Sequence, residues 1–198
     1  MRPIVIGLVV LLFAMSATSA MASAPRTWEV QLTAGLSGAG ETRPGGGRCW
    51  ALGIAKPVRR ALSVGAGLEW HEFEASRGST DFEEPYLYER SRLLAAVATA
   101  RLQMPAPTGL LPFALAEGGA GHLRLGDLRW TLNSPRTVPG RAGLVWIAGA
   151  GVGLRLALPA GWPALEASLR GGAWSSPVPM FEYTHRATYG KALFTAAW

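Results

Sequence analysis

The sequence predicts an all-β fold, an eight-stranded antiparallel up-and-down transmembrane β-barrel, on three observations. In the segment Leu144–Leu158, LVWIAGAGVGLRLAL, every even position is apolar, whereas the odd positions are mostly small and include Arg155. A period of two belongs to a strand. Strands of about 5–6 residues are usual in water, whereas a tilted membrane-crossing strand needs about 10. Seven further segments alternate in the same way, joined by connections that run long, short, long, short, long, short, long, the rhythm of a membrane meander. Finally, the face opposite the apolar one carries Glu, Arg, Gln, Thr, Ser and Gly. A barrel in water would turn its apolar set inward, so this pattern puts the apolar face against lipid.

The first strand is Trp28–Leu36, with Val30, Leu32 and Ala34 outward against Glu29, Gln31 and Thr33. After the Gly-rich loop 37–47, the second strand, Arg48–Lys56, sets Trp50, Leu52 and Ile54 against Cys49, Ala51 and Gly53. The third, Leu62–Phe73, opposes Val64, Leu68 and Trp70 to Gly65, Glu69 and His71. The loop 74–89 is acidic and aromatic. In the fourth strand, Arg92–Met104, taking Leu94 to Leu102 as the outer set turns Arg101 inward. The fifth, Phe113–Leu123, contains Gly118-Gly119, which suggests a bulge or a close backbone approach. A long loop 124–140 precedes the sixth strand, Leu144–Leu158. The seventh, Ala164–Trp174, opposes Leu165, Ala167 and Leu169 to Glu166, Ser168 and Arg170, and the eighth runs from Ala187 to Trp198. Aromatics at strand ends suggest two interfacial girdles: Trp28, Phe113, Trp162 and Trp198 at the periplasmic rim, Trp50, Trp70, Trp146 and Trp174 at the outer one.

Arg2, the apolar run Ile4–Met15 and the small residues up to Ala24 read as a secretory leader, 1–24, with cleavage after Ala24 first and after Ala20 second. The domain expected to remain, 25–198, has 174 residues and a net charge of +5. Of 19 basic residues 17 are Arg, a bias that favours forked phosphate contacts. Cys49 is the one cysteine, so no internal disulfide is expected, and its plain reading is a small strand residue.

The eight-strand rhythm, the segment Pro112–Gly121 (PFALAEGGAG) and the last strand resemble the small outer-membrane β-barrel family of the OmpA/OmpX type. In the last strand, Gly190, Ala192, Phe194, Ala196 and Trp198 alternate outward to a terminal aromatic. The resemblance implies that Gly190, Phe194 and Trp198 form an assembly signal read by the barrel-assembly machinery. It also implies residence in the outer membrane of a Gram-negative bacterium. It implies no single activity, because family members serve as adhesins, serum-resistance factors, anchors and enzymes.

Candidate chemistry is weaker than the architecture. A lipid A-modifying barrel enzyme needs a Ser–His pair with an orienting carboxylate, and its family motif places a His two residues before a Ser near the C-terminus. The corresponding stretch here is Arg170–Ser176, which holds no His, and His185 is followed by Arg-Ala-Thr. His71, His122 and His185 share no ligand spacing, and Gly149-x-Gly151-x-Gly153 lacks the helix of a nucleotide loop. The expectation is therefore no catalysis, no metal, no cofactor and no nucleic-acid partner. Eight strands enclose an interior that side chains just fill, which excludes a wide porin and leaves a narrow OmpW-like path for apolar solutes as an alternative.

The strand parity turns Glu29, Glu69, Glu117 and Glu166 inward together with Arg101, Arg155, Arg170 and Lys191, four against four. These eight are the expected lumen charge network. Near strand ends or in loops at the outer side lie Arg48, Arg77, Arg90, Arg92, Arg124, Arg129, Arg136 and Arg141, the candidates for contacting lipopolysaccharide phosphates. The sequence thus predicts a monomeric outer-membrane barrel with a structural or surface-interaction role, with lipid and lipopolysaccharide as partners. The alternative is a lipid A-modifying enzyme.

Overall fold

The structure, a computed structural model, describes residues 28–40, 45–59, 61–79, 85–104, 106, 109–130, 136–176 and 186–198. These form twelve strands: β1 (Glu29–Gly40), β2 (Gly46–Pro57), β3 (Leu62–Phe73), β4 (Ser76–Ser79), β5 (Pro85–Tyr88), β6 (Ser91–Gln103), β7 (Leu110–Arg124), β8 (Leu128–Trp130), β9 (Arg136–Val138), β10 (Ala142–Leu156), β11 (Ala164–Ser175) and β12 (Arg186–Ala197). Eight of them close into one antiparallel barrel in the order β1-β12-β11-β10-β7-β6-β3-β2. The seam pairs β1 with β12 from Gln31↔Ala197 to Gly40↔Thr188. Val30 and Trp198 exchange backbone hydrogen bonds of 3.0 Å in both directions. Closure is what a lipid environment demands, because each unpaired backbone group there costs several kcal/mol.

Leu52, Val64, Leu68, Val152, Leu154, Leu169 and Phe194 point outward, Phe194 with 71 % of its surface exposed. Ala148 is exposed as well, and Leu32 is half-exposed. This is a lipid-facing band. The exposed Trp70 and Trp146 mark its upper edge and Trp28 and Trp162 its lower one. Lys56 Nζ lies 5.3 Å from the Trp28 ring centre, a cation over an interfacial aromatic.

Three girdle assignments are corrected. Phe113 and Trp174 are each 2 % exposed, because they share the inward parity of Glu117 and Glu166 on their own strands. Trp198, past the end of β12, is 9 % exposed and does not continue the outward row of Phe194. Gly118-Gly119 forms no bulge: pairing runs unbroken through Val97↔Gly119 and Ile147↔Gly119. The alternative reason holds at Gly119, where a Cβ would lie 2.1 Å from the Ala96 carbonyl oxygen.

Strand limits shift by a few residues. β1 continues beyond Leu36 because Ser37–Gly40 find partners in Thr188–Lys191. β10 starts at Ala142, opposite Arg124, and stops at Leu156. β7 begins at Leu110 and admits Pro112, whose carbonyl accepts from the Met104 N–H at 2.8 Å.

The two long connections at the upper end are not irregular throughout. β4 and β5 form one hairpin and β8 and β9 another, joined into a four-stranded sheet by Tyr86↔Trp130, Leu87↔Arg129 and Tyr88↔Leu128. The Gly126 N–H donates to Ser91 Oγ at 3.0 Å and the Gly140 N–H to Asp127 Oδ1 at 2.8 Å. These bonds seat the sheet on the barrel rim. The leader 1–24, the acidic tip 81–84 and His185 lie outside the described residues.

Candidate functional site: a braced lumen and an arginine rim

The lumen has two zones. Toward the long-connection end, Phe73, Leu93, Ala95, Val97, Leu123, Leu125, Val145, Ile147 and Trp174 pack into one buried cluster, with Tyr189 and Ala187 among them. Trp174 stacks on Tyr189 at 5.5 Å and meets the edge of Phe73 at the same distance. Sequence reasoning passed over this plug, although the inward parity of β6 and β10 already contains Leu93, Val97, Val145 and Ile147.

Below the plug, the structure brings all eight predicted lumen charges together, in two layers. In the lower layer Arg155 forks onto Glu29, with Nη1 and Nη2 each 2.9 Å from one carboxylate oxygen, and also reaches Glu166 at 3.1 Å. Arg101 donates to Glu166, to Glu29 at 3.4 Å and to Ser63 Oγ at 3.2 Å. The Arg101 guanidinium also lies 5.3 Å from the Phe113 ring centre. Two carboxylates and two guanidiniums thus satisfy one another, as burial requires.

In the upper layer Lys191 Nζ lies 2.9 Å from Glu69 Oε2 and 2.8 Å from Glu117 Oε1. Arg170 Nη1 donates to Glu117 Oε2 at 3.1 Å and stands 3.8 Å from Glu69. The Tyr189 hydroxyl donates to Glu117. Gly149 and Gly172 make room for that hydroxyl: a Cβ would come within 2.2 Å of it at the first and 2.8 Å at the second. The layers differ in access to water. Lys191 and Glu117 side chains are 1 % and 0 % exposed, against 15 % and 19 % for Arg155 and Glu29. A cavity of about 50 Å³ runs beside both, lined by Thr33, Ser63, Thr99, Arg101, Glu166 and Glu69 among others.

The upper layer also holds a grouping that spacing along the chain did not reveal. His71 Nε2 is 3.1 Å from Glu69 Oε2, and Cys49 Sγ is 3.7 Å from His71 Nε2. Cys49 pairs directly with His71 across β2–β3. The turn read as Lys56–Arg60 would centre the hairpin on Val58 and set Cys49 opposite Gly67; the observed pairing of Pro57 with Ser63 shifts the register and aligns Cys49 with His71.

The second feature is on the outside. The register places Arg48 opposite Glu72, Glu72 opposite Arg92, and Arg92 opposite Arg124. All four side chains face away from the lumen, forming one row one outward step above Trp50 and Trp70. Glu72 answers Arg92 at 3.5 Å, which leaves three guanidiniums to one carboxylate in the row. Arg90, Arg136 and Arg141 are exposed at the same end, Arg77 lies in β4, and Arg129 pairs with Glu89. The predicted rim candidates therefore divide: Arg48, Arg92 and Arg124 form a register row, while the rest sit on or near the upper sheet.

No protein-family model matches the sequence, and no curated protein matches it either. Solved structures do. The chain has the fold of the small outer-membrane β-barrels. Neisserial surface protein A superposes with a TM-score of 0.57 at 12 % identity, over 86 % of this chain and 96 % of that one. The outer membrane enzyme PagL superposes with a TM-score of 0.50 at 13 % identity, over 84 % and 97 %. At such identity the likeness carries the fold and nothing of the activity.

Proposed function

We propose that this protein is a monomeric integral outer-membrane barrel with a structural and surface-interaction role, whose outer rim binds the phosphates of lipopolysaccharide. The observation that carries the reading is the row Arg48–Glu72–Arg92–Arg124 directly above the upper tryptophans. Tryptophans sit at headgroup depth, so the row lies where lipid phosphates lie. Like charges directly opposite on adjacent strands repel, and Arg92↔Arg124 is such a pair. A phosphate between them turns the repulsion into two forked, charge-assisted contacts. The long connections then face outward, the short turns face the periplasm, and the leader and Phe194-bearing last strand serve export and assembly.

The reading is non-catalytic. Of the two histidines among the described residues, His71 is sealed in the lumen away from lipid, and the outward His122 stands between Leu94 and Leu144 on its neighbouring strands. It is also not a conduit, since the apolar plug and two paired ionic layers fill the bore. The test is co-purification of lipopolysaccharide with wild type and with Arg92→Ala/Arg124→Ala, both checked for folding by heat-modifiable gel mobility. The double variant should retain at least fivefold less lipopolysaccharide, and dephosphorylated lipid A should bind both proteins equally weakly. Equal retention by the two proteins would sink the proposal.

A further inference from the structure

We infer that Cys49, Glu69 and His71 form a buried three-ligand site for a thiophilic metal cation, with monovalent copper the better fit. The Cys49 sulfur, a Glu69 carboxylate oxygen and a His71 ring nitrogen lie within 4.8 Å of one another, and all three residues are buried. The S···N and N···O separations of 3.7 and 3.1 Å suit a common metal. With metal–sulfur and metal–nitrogen or –oxygen bonds of about 2.3 and 2.0 Å, they correspond to angles of roughly 115° and 100°. A thiolate with an imidazole is a soft donor set, which selects copper(I) or zinc over hard cations.

The surroundings of the cluster are also incompletely paired. Buried polar groups are as a rule paired, so each exception calls for an explanation. Among the described residues three buried side-chain atoms have no hydrogen-bond partner, and two of them are His71 Nδ1 and Ser37 Oγ. Ser37 is 5 % exposed and faces inward on β1. It stands opposite Gly47, one inward position along β2 from Cys49, and opposite Lys191 on the other side. The orphaned atoms therefore border the cluster, although a metal on Nε2 leaves Nδ1, on the far edge of the ring, without a partner.

Charge decides between the metals. Glu69, Glu117, Arg170 and Lys191 already balance, two against two. Binding replaces the Cys49 thiol proton, which is released to solvent. A monovalent cation in exchange for that proton leaves the layer neutral. A divalent one leaves an uncompensated positive charge in a place where such charges cost several kcal/mol. Lys191 does not block the site, because it keeps Glu117 at 2.8 Å when Glu69 Oε2 turns to the metal.

The experiment loads detergent-purified full-length barrel with copper(I), kept reduced by ascorbate, against bicinchoninate as competing chelator, with a parallel zinc(II) arm. Wild type should hold one copper per barrel, and Cys49→Ser and His71→Ala, each verified as folded by gel mobility, should bind at least tenfold more weakly. X-ray absorption of copper-loaded wild type should show one sulfur in the first shell, a readout that needs no variant to fold. Copper retained equally by Cys49→Ser, a first shell of oxygen and nitrogen alone, or zinc bound in preference to copper would each overturn the inference.

Discussion

Removing Glu117 should be among the most damaging single changes in the barrel. Its carboxylate is fully buried and accepts from Tyr189, from Lys191 at 2.8 Å and from Arg170 at 3.1 Å. Glu117→Ala leaves the upper layer with two cations against Glu69 alone. Breaking a buried ionic arrangement by deleting one partner costs about 3–5 kcal/mol, and the Lys191 side chain left behind is only 1 % exposed. Arg170, 13 % exposed at its side chain, should cost the lower end of that range. The double variant Glu117→Ala/Arg170→Ala restores balance, with Lys191 on Glu69. Its cost should fall short of the sum of the singles by about 2 kcal/mol, a coupling of the size found for groups in one network. Reversible urea unfolding in phospholipid vesicles, followed by tryptophan fluorescence, measures all three. A Glu117→Ala cost below about 1 kcal/mol, or strict additivity, would show that water already screens the layer and that the network is not sealed.

Three further outcomes follow from the same geometry. Glu29→Ala should cost clearly less than Glu117→Ala in the same unfolding assay, since the lower layer is partly open to the cavity. Gly35→Val should abolish barrel closure, seen as loss of the heat-modifiable band, because a Cβ there would lie 2.1 Å from the Ala192 carbonyl oxygen on the closing strand; Gly38→Ala, with nothing within 4 Å, should assemble normally. Single-channel recordings of wild type should show no large steady conductance, and a stable wide pore would mean that the plug around Trp174 and the ionic layers do not fill the bore.

What was legible in the sequence was what depends on period alone. Twelve or more residues of alternation fix a strand whatever it pairs with, and Leu62–Phe73 emerged with the limits it has in the structure. The eight lumen charges were legible for the same reason, because parity turns Arg101 or Glu166 inward without reference to any partner. The partnerships were not. Arg155↔Glu166 follows from one hairpin register, but the Arg155 fork onto Glu29 joins β10 to β1 across the bore, and no local rule sets that reach. The upper sheet was illegible on two counts: three or four residues are too few to display a period, and Tyr86↔Trp130 joins connections far apart in the chain. Trp174 was misplaced because its position at a strand end was allowed to outweigh its parity.

The distribution of charge around the wall explains why the lumen closes with so few large residues. All four cations come from β6 and β10–β12, on long side chains, while the inward positions of β2 and β3 below His71 are mostly small: Ala51, Gly53, Ala55, Gly65 and Gly67. Long chains from one wall occupy space that the other wall leaves free, as close packing of an eight-stranded bore requires. Each cation then reaches a carboxylate on a strand that is not its neighbour: Arg155 on β10 to Glu29 on β1, Lys191 on β12 to Glu69 on β3, Arg170 on β11 to Glu117 on β7, Arg101 on β6 to Glu166 on β11. Backbone hydrogen bonds tie only adjacent strands. The ion pairs are cross-braces over the bore, so they resist flattening of the barrel, a deformation that the ladder of backbone bonds alone would permit.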